Sequence, residues 1–224
     1  MYALLRLLQL SDTAFPTGSF SHSMALEAFA EAGELGDAQD LARIIKLHLC
    51  TLATSDCVAL RAAHGETSLE RLFHVDRLLA ATKLTRELRA ASSSTGKRFL
   101  ISVAALGVES TTLGDFTAAV RAGASPGNLA VGYGVAVPAL GLGVEETLHA
   151  YLYATVACLV AAGQKFVPLG GSAAQRVLYE LGEDVIHTAE MSQTWEVDDM
   201  YAFSPTLDVL SMMHERQRTR LYIS

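Results

Sequence analysis

A 3.6-residue apolar period runs through almost every segment of this chain, and no stretch alternates Val, Ile and Thr between turn pairs as a strand would. In "LERLFHVDRLLAATKLTRELR" the residues Leu69, Leu72, Phe73, Leu79 and Leu88 recur at helical spacing. Charged side chains from Glu70 to Arg89 fill the other faces, and Lys83 and Glu87 can pair one turn apart. Cap-like residues precede such periods at Asp37 or Asp40, at Thr67 or Ser68, at Asp115, and at Ser204 with Pro205. Gly33, Gly65, Gly107, Gly123, Gly163 and Gly182 stand where helices should stop. The expectation is an all-α fold, one helical bundle of about eight to ten helices spanning residues 1–224. No linker divides the chain; the polar run "RAASSSTGKR" reads as a turn between helices.

The stretch "TLHAYLYATVACLVAAG" carries one apolar stripe, Leu148 to Ala162, while Val156 and Val160 close its far side. A helix apolar all round belongs at the centre of a bundle. The uncharged runs 127–144 and 147–164 approach the about 20 apolar residues of a membrane span. They are broken by glycines and Pro138 or carry His149, Thr155 and Gln164, and they lack flanking aromatic and basic anchors, so they read as buried helices and no membrane partner is expected.

Charge and cysteine usage narrow the function classes. A net charge of -7 argues against nucleic acid, which needs a basic footprint. The basic exception is local: the last eleven residues, "HERQRTRLYIS", hold Arg216, Arg218 and Arg220. Cys50, Cys57 and Cys158 show no framework spacing, which fits a reducing compartment, and no signal-peptide pattern opens the chain. A cytoplasmic protein is expected.

Complete active-site motifs are missing. His214 and Glu215 begin like a zinc-protease helix, but Arg218 stands where the second His must be. "SSSTGKRF" has Ala91 and Arg98 where a phosphate loop needs Gly and Ser or Thr, and "GYGVAV" has Val137 where a dinucleotide fingerprint wants Gly. No Gly-x-Ser-x-Gly elbow occurs. No catalytic residue, cofactor or resident metal is therefore assigned, and an interaction protein is expected rather than an enzyme. The alternative is a helical enzyme binding a small molecule or metal, with His22, Glu27 and His48 converging near the loop "SDTAFPTGSFSHSMALE". In that loop Pro16 and Gly18 set a rigid turn, and Phe15 and Phe20 either pin it or serve as anchors.

Four stretches, in order along the chain, resemble the UreF family of urease accessory proteins. "LLQLSDTAFPTGSFSHSMALEAFAEAG" is similar to its N-terminal signature at Pro16, Gly18, Phe20 and Glu27. "TRELRAASSSTGKRFL" resembles its Arg-Glu helix followed by a Gly turn. "AAGQKFVPLGGSAAQRVL" matches its basic-apolar-x-Pro-x-Gly segment at Lys165, Pro168, Gly170 and Gln175. The C-terminal signature falls on His214, Glu215, Arg220, Leu221, Tyr222 and Ser224. The pattern departs at Ser19, Ala25, Gly171, Arg216 and Arg218; Gly is usual at the first two.

The resemblance implies a helical, typically dimeric scaffold without catalysis of its own. It implies partnership with the accessory protein UreD (also called UreH), with the GTPase UreG and with apo-urease, nickel being the cargo. It also implies that the tail 214–224 holds UreD and that surface loops reach the GTPase. The tail's composition suits an extended arm that orders on a partner, with Arg220, Leu221 and Tyr222 as anchors. Lys165 is either a recognition charge or a cation favoured at a helix C-terminus.

Overall fold

In the computed structural model, which describes residues 2–224, the chain folds into α-helices joined by short loops, with no strand among the described residues. The described residues form twelve α-helices, more than the eight to ten expected, because breaks fall inside patterns that look continuous in sequence. In order they are α1 Tyr2–Ser11, α2 Leu26–Glu31, α3 Ala38–Ala53, α4 Asp56–Ala63, α5 Leu69–Thr82 and α6 Arg86–Ala105. The rest are α7 Thr111–Arg121, α8 Leu129–Ala136, α9 Val144–Gly163, α10 Gly171–Glu180, α11 Gly182–Ser192 and α12 Pro205–His214. The buried apolar side chains form one contiguous core. No helix among the described residues is long and apolar enough to cross a membrane.

Local chemistry sets most boundaries. Asp37 caps α3 by accepting from Gln39 N at 2.8 Å and Asp40 N at 2.9 Å, and Ser68 caps α5 from Arg71 N at 3.4 Å. The "LERLF…TRELR" pattern is two helices, because Thr85 accepts from Leu88 N at 3.3 Å and starts α6 afresh. That break sends Lys83 to Asp56 at 2.6 Å rather than to Glu87. Helix α7 begins at Thr111, capped by Ser110, and not at Asp115. Gly33, Gly65, Gly107 and Gly123 follow helix ends with positive φ, as expected of stops. Gly163 and Gly182 differ, since the first is the last residue of α9 and the second opens α11.

The run "RAASSSTGKR" is not a turn. It lies inside α6, where Ser92 and Thr95 are buried and Thr95 returns its hydroxyl to Ala91 O at 2.7 Å. Such polarity signals a turn when exposed, but a helix can satisfy hydroxyls on its own carbonyls. Gly96 explains the composition: a Cβ there would collide with the carbonyl of Gly127 and come within 2.6 Å of Leu129 N. The backbone entering α8 therefore crosses α6 at a point only glycine leaves open. That entry is fixed by the buried Asp76 carboxylate, which accepts from Ser125 Oγ and Gly127 N, each at 2.6 Å, and from Asn128 N at 2.9 Å.

The helix buried on every side is α8, residues Ala130 to Ala136, rather than the longer α9 beside it, whose Tyr153 is half exposed. Helix α8 packs most extensively on α4 and α6. Its small residues permit this; a Cβ on Gly134 would lie 2.6 Å from Leu60 O. Tyr133 stacks on Phe99 at 4.3 Å between centroids and donates to Leu10 O at 2.8 Å.

Two glycine replacements should separate packing from propensity. Alanine is about 1 kcal/mol better than glycine in a helix interior, so Gly114→Ala, on the exposed face of α7 with nothing within 4 Å, should raise unfolding free energy by roughly 0.5–1 kcal/mol. Gly96→Ala should lower it by about 1–3 kcal/mol despite the same propensity gain. Urea titration of both variants checks the pair.

Candidate functional site

Between α1 and α2 the residues Asp12 to Ala25 form a loop that carries a short 3-10 turn at Ser19–Ser21. Gly18 has φ 76°, and the Arg98 side chain occupies the space a Cβ would need. Phe15 is buried with its ring edge-on to Phe99 at 5.8 Å, whereas Phe20 is 76% exposed. One aromatic pins the loop and the other is presented to solvent. Met24 and Ala25 both have positive φ, 50° and 72°. This conformation costs a non-glycine residue about 1–2 kcal/mol, and Ala25 stands where the resemblance leads one to expect Gly.

The C-terminal residues run along this strained segment. Ile223 N donates to Ser21 O at 2.9 Å, and Ser224 O accepts from Ser23 N at 2.5 Å and from Met24 N at 3.0 Å. Ser23 Oγ donates to the same oxygen at 2.9 Å, and His22 Nδ1 lies 2.8 Å from Ser224 Oγ. Burial, reinforced by the Arg98 charge, lowers the His22 pKa despite the opposing pull of Glu87. His22 is thus held neutral, with its ring turned to the last residue of the sequence.

Beneath this contact lies a buried cluster built on Glu27, the second residue of α2. Its Oε1 accepts from Leu221 N at 2.7 Å, and its Oε2 accepts from Tyr222 N at 3.0 Å and faces His214 Nε2 at 3.2 Å. The His214 ring is fully buried, and its Nδ1 is 2.7 Å from Glu87 Oε2. Arg220 Nη1 completes the chain of contacts at 2.7 Å from Glu87 Oε1. Burial works against ionisation of Glu27, but the hydrogen bonds from Leu221, His214 and Tyr222 outweigh it and its pKa lies below the ordinary value. Ser211 Oγ, 2.9 Å from Thr85 Oγ1, and Glu215, 3.2 Å from Arg86, bind α12 to the start of α6.

The structure brings together much of what the sequence singles out. Glu27, His214, Arg220 and Tyr222 join one assembly, with Leu221 contributing its backbone N–H and leaving its side chain 75% exposed, while Gly18 bonds through its carbonyl to Ser21, the residue that Ile223 meets. Pro16 is exposed, and its carbonyl accepts from Ser102 Oγ at 3.4 Å. The third motif reaches the assembly through Phe166, whose ring lies 5.7 Å from that of Tyr222. Lys165 and Pro168 flank it on the surface. Gly170, at the N-cap of α10, and Gln175, within α10, are exposed and take no part in the cluster's hydrogen bonds. The tail is not an extended arm here, because Glu27 and the loop amides supply its partners. Glu87 and Phe166 stand inside the quoted motifs without a site role, Glu87 only as a helical partner for Lys83, because nothing local tells a buried anchor from a surface acid.

His22, Glu27 and His48 do not converge on a metal. Both Glu27 oxygens are engaged by the tail and His214, and His22 and His48 line a cavity whose walls do not include Glu27. Among the described residues no group of three or more His, Cys, Asp or Glu side chains is placed to hold a metal ion. The arrangement can present a shaped surface whose apolar points are Phe20, Leu221 and Ile223, each more than half exposed.

Comparison with known proteins gives a consistent answer. The family model described as UreF matches residues 35–182. The urease accessory protein UreF of Arthrobacter sp. (strain FB24) is 36% identical over 224 residues, covering 98% of this chain and 96% of its own length. That of Paenarthrobacter aurescens (strain TC1) is 35% identical over 221 residues, covering 98% of this chain and 97% of its own. That of Corynebacterium glutamicum (strain R) is 30% identical over 219 residues, covering 97% and 96%. At 97–98% of this chain, these alignments extend past residues 35–182 at both ends.

Removing the Glu27 charge should free the tail. In Glu27→Gln the amide cannot accept from Leu221, Tyr222 and His214 together, and a loss of about 2–4 kcal/mol is expected. Hydrogen exchange at Leu221, Tyr222 and Met24 should accelerate in the same variant. Because the folded-state pKa of Glu27 is depressed, its contribution is present above the ordinary 4.5 and is lost as pH falls through the lower folded value. Amide exchange of residues 221–224 measured across that acid range checks the sign.

Proposed function

Since this chain belongs to the UreF family of urease accessory proteins, we propose that it acts as a non-catalytic scaffold in urease maturation, helping a complex to insert nickel into the urease metallocentre. Its partners in this reading are a UreD/UreH-like accessory protein, a UreG-like GTPase and apo-urease, with nickel as cargo and with a homodimer as the working unit in the cytoplasm. The observation that carries the reading is the meeting of the loop, the second motif, Phe166 and the C-terminal tail in one assembly with an exposed apolar edge.

The physical logic favours docking over chemistry. The polar groups of the assembly are committed to one another, so none is left poised to act on a substrate. What faces outward is apolar: Phe20, Leu221 and Ile223, held close by the Ile223 N to Ser21 O bond. Large apolar side chains held rigidly at a surface are the usual anchors of protein interfaces. We assign this edge to the UreD-like partner, and Lys165, Pro168, Gly170 and Gln175, exposed on the neighbouring segment, to a second contact with the complex.

Co-expression with the UreD-like and UreG-like proteins of the same organism should yield a stable complex, and deleting this chain should abolish urease activation. Failure to form any complex, with urease fully active in the deletion strain, overturns the reading. The docking edge has a sharper test. Phe20→Ala and Leu221→Ala should each weaken binding of the UreD-like protein by roughly tenfold or more, about 1.4 kcal/mol. Neither should shift the melting temperature by more than a degree or two, since both side chains are over 70% exposed. Unchanged affinity in both variants removes the edge from the interface.

A further inference from the structure

Apart from the tail assembly, the interior holds a cavity of about 140 Å³ bounded by α1, α3, α6, α9 and α12. Its walls are unusual in their polar accounting. Six buried side-chain polar atoms of the described residues have no hydrogen-bond partner, and three of them, Ser11 Oγ, His48 Nε2 and Ser92 Oγ, belong to residues lining this one space. Buried polar atoms without partners are rare and costly, and three around a single cavity mark a place where something else supplies the bonds.

The chemistry of the missing partner can be read from the walls. The His48 ring is buried and its pKa is pushed down to about 4, so it is neutral, and its unpartnered Nε2 can serve as a lone-pair acceptor. Lys83 Nζ lies 2.6 Å from Asp56 Oδ2, Tyr151 donates to Asp56 Oδ1 at 3.0 Å, and burial raises the pKa of Asp208, the other buried carboxyl on the wall, which favours its uncharged form. Neither an anion nor a cation is called for. Much of the remaining lining is apolar, including Leu10, Leu52, Leu88, Leu159 and Leu207.

Water alone fits this lining poorly. At about 30 Å³ each the space would take roughly four or five waters, and each seeks about three hydrogen bonds. The wall is mostly apolar, so waters can meet that demand only along its polar side, and the leucines offer none. A dry cavity of about 150 Å³ accepts benzene, so a molecule with roughly six carbon atoms fills the volume.

We propose that this cavity is a binding site for a small neutral amphiphile, an apolar body of phenol size carrying a hydroxyl that donates to His48 Nε2 and can accept from a serine hydroxyl. Asp12, Thr13 and Leu84 line the space and are exposed, so it reaches solvent and a ligand can exchange. His22 and Met24 also line the space, and these residues hold Ser224 through the His22 ring and the Met24 amide. An occupant therefore braces the segment on which the tail is docked.

Phenol is the probe, benzene the apolar control, and the full chain the sample. Saturation-transfer NMR and thermal melts should show phenol binding and raising the melting temperature, with benzene binding at least about tenfold more weakly. His48→Phe keeps a ring but removes the acceptor; phenol affinity should fall by about tenfold and benzene affinity should be kept or improve. Should that variant not fold, Ser92→Ala supplies the same readout, with a several-fold loss expected for phenol alone. Equal affinity for phenol and benzene, binding of neither, or a crystal structure of phenol-treated protein with water only in the cavity would overturn the proposal. None of these readouts involves the accessory partners.

Discussion

The carboxylate of Glu27 is the point at which the two ends of the chain are held together. It accepts two backbone N–H groups from Leu221 and Tyr222 and faces the buried ring of His214. Without it the last four residues would keep only their contacts with Ser21 to Met24 and with the Phe166 ring, and His214 would face a single carboxylate. Charge-assisted bonds to backbone amides are stronger than neutral ones, and here they are shielded from water. A carboxylate at the start of a helix also sits in the favourable end of the helix dipole. Position, burial and partners thus act in the same direction.

That anchor explains why a strained loop persists. Two consecutive non-glycine residues in the left-handed region cost about 1–2 kcal/mol each, and such strain survives only where the surroundings over-determine the backbone. The amides of Ser23 and Met24 converge on Ser224 O, and Met24 and His48 line one cavity. The loop, the tail and the cavity are therefore one mechanical unit. Its outer edge carries the exposed apolar side chains of Phe20, Leu221 and Ile223. Its inner side opens on a space whose polar walls are incompletely satisfied.

Much of this was legible beforehand, for definable reasons. Helical class followed from periodicity, and the caps at Asp37 and Ser68 followed from their side-chain oxygens. The residues Glu27, His214, Arg220 and Tyr222 were singled out by motif resemblance, which marks residues without saying what they touch. Readings failed where packing reversed the usual meaning of a residue. Ser92, Thr95 and Gly96 look like a turn, yet they lie inside α6 because another backbone crosses there. Lys83 and Glu87 have the spacing of a helical pair, but a helix break between them gives each a distant partner.

By itself the sequence determined that the chain is helical, because apolar side chains at a 3.6-residue period can be buried only on helices, and that it carries no complete motif for nucleotide or serine chemistry. Through its motifs it also pointed to the right family. Only the tertiary structure decided that α8 lies at the centre, that the tail folds back on the loop, and that Glu27 and Glu87 share His214. The physical reason is range: periodicity and caps act within a turn or two of helix, whereas His214 meets Glu87 and Glu27 across separations of 127 and 187 residues. Contacts at that distance depend on how every intervening helix packs, and no local pattern records it.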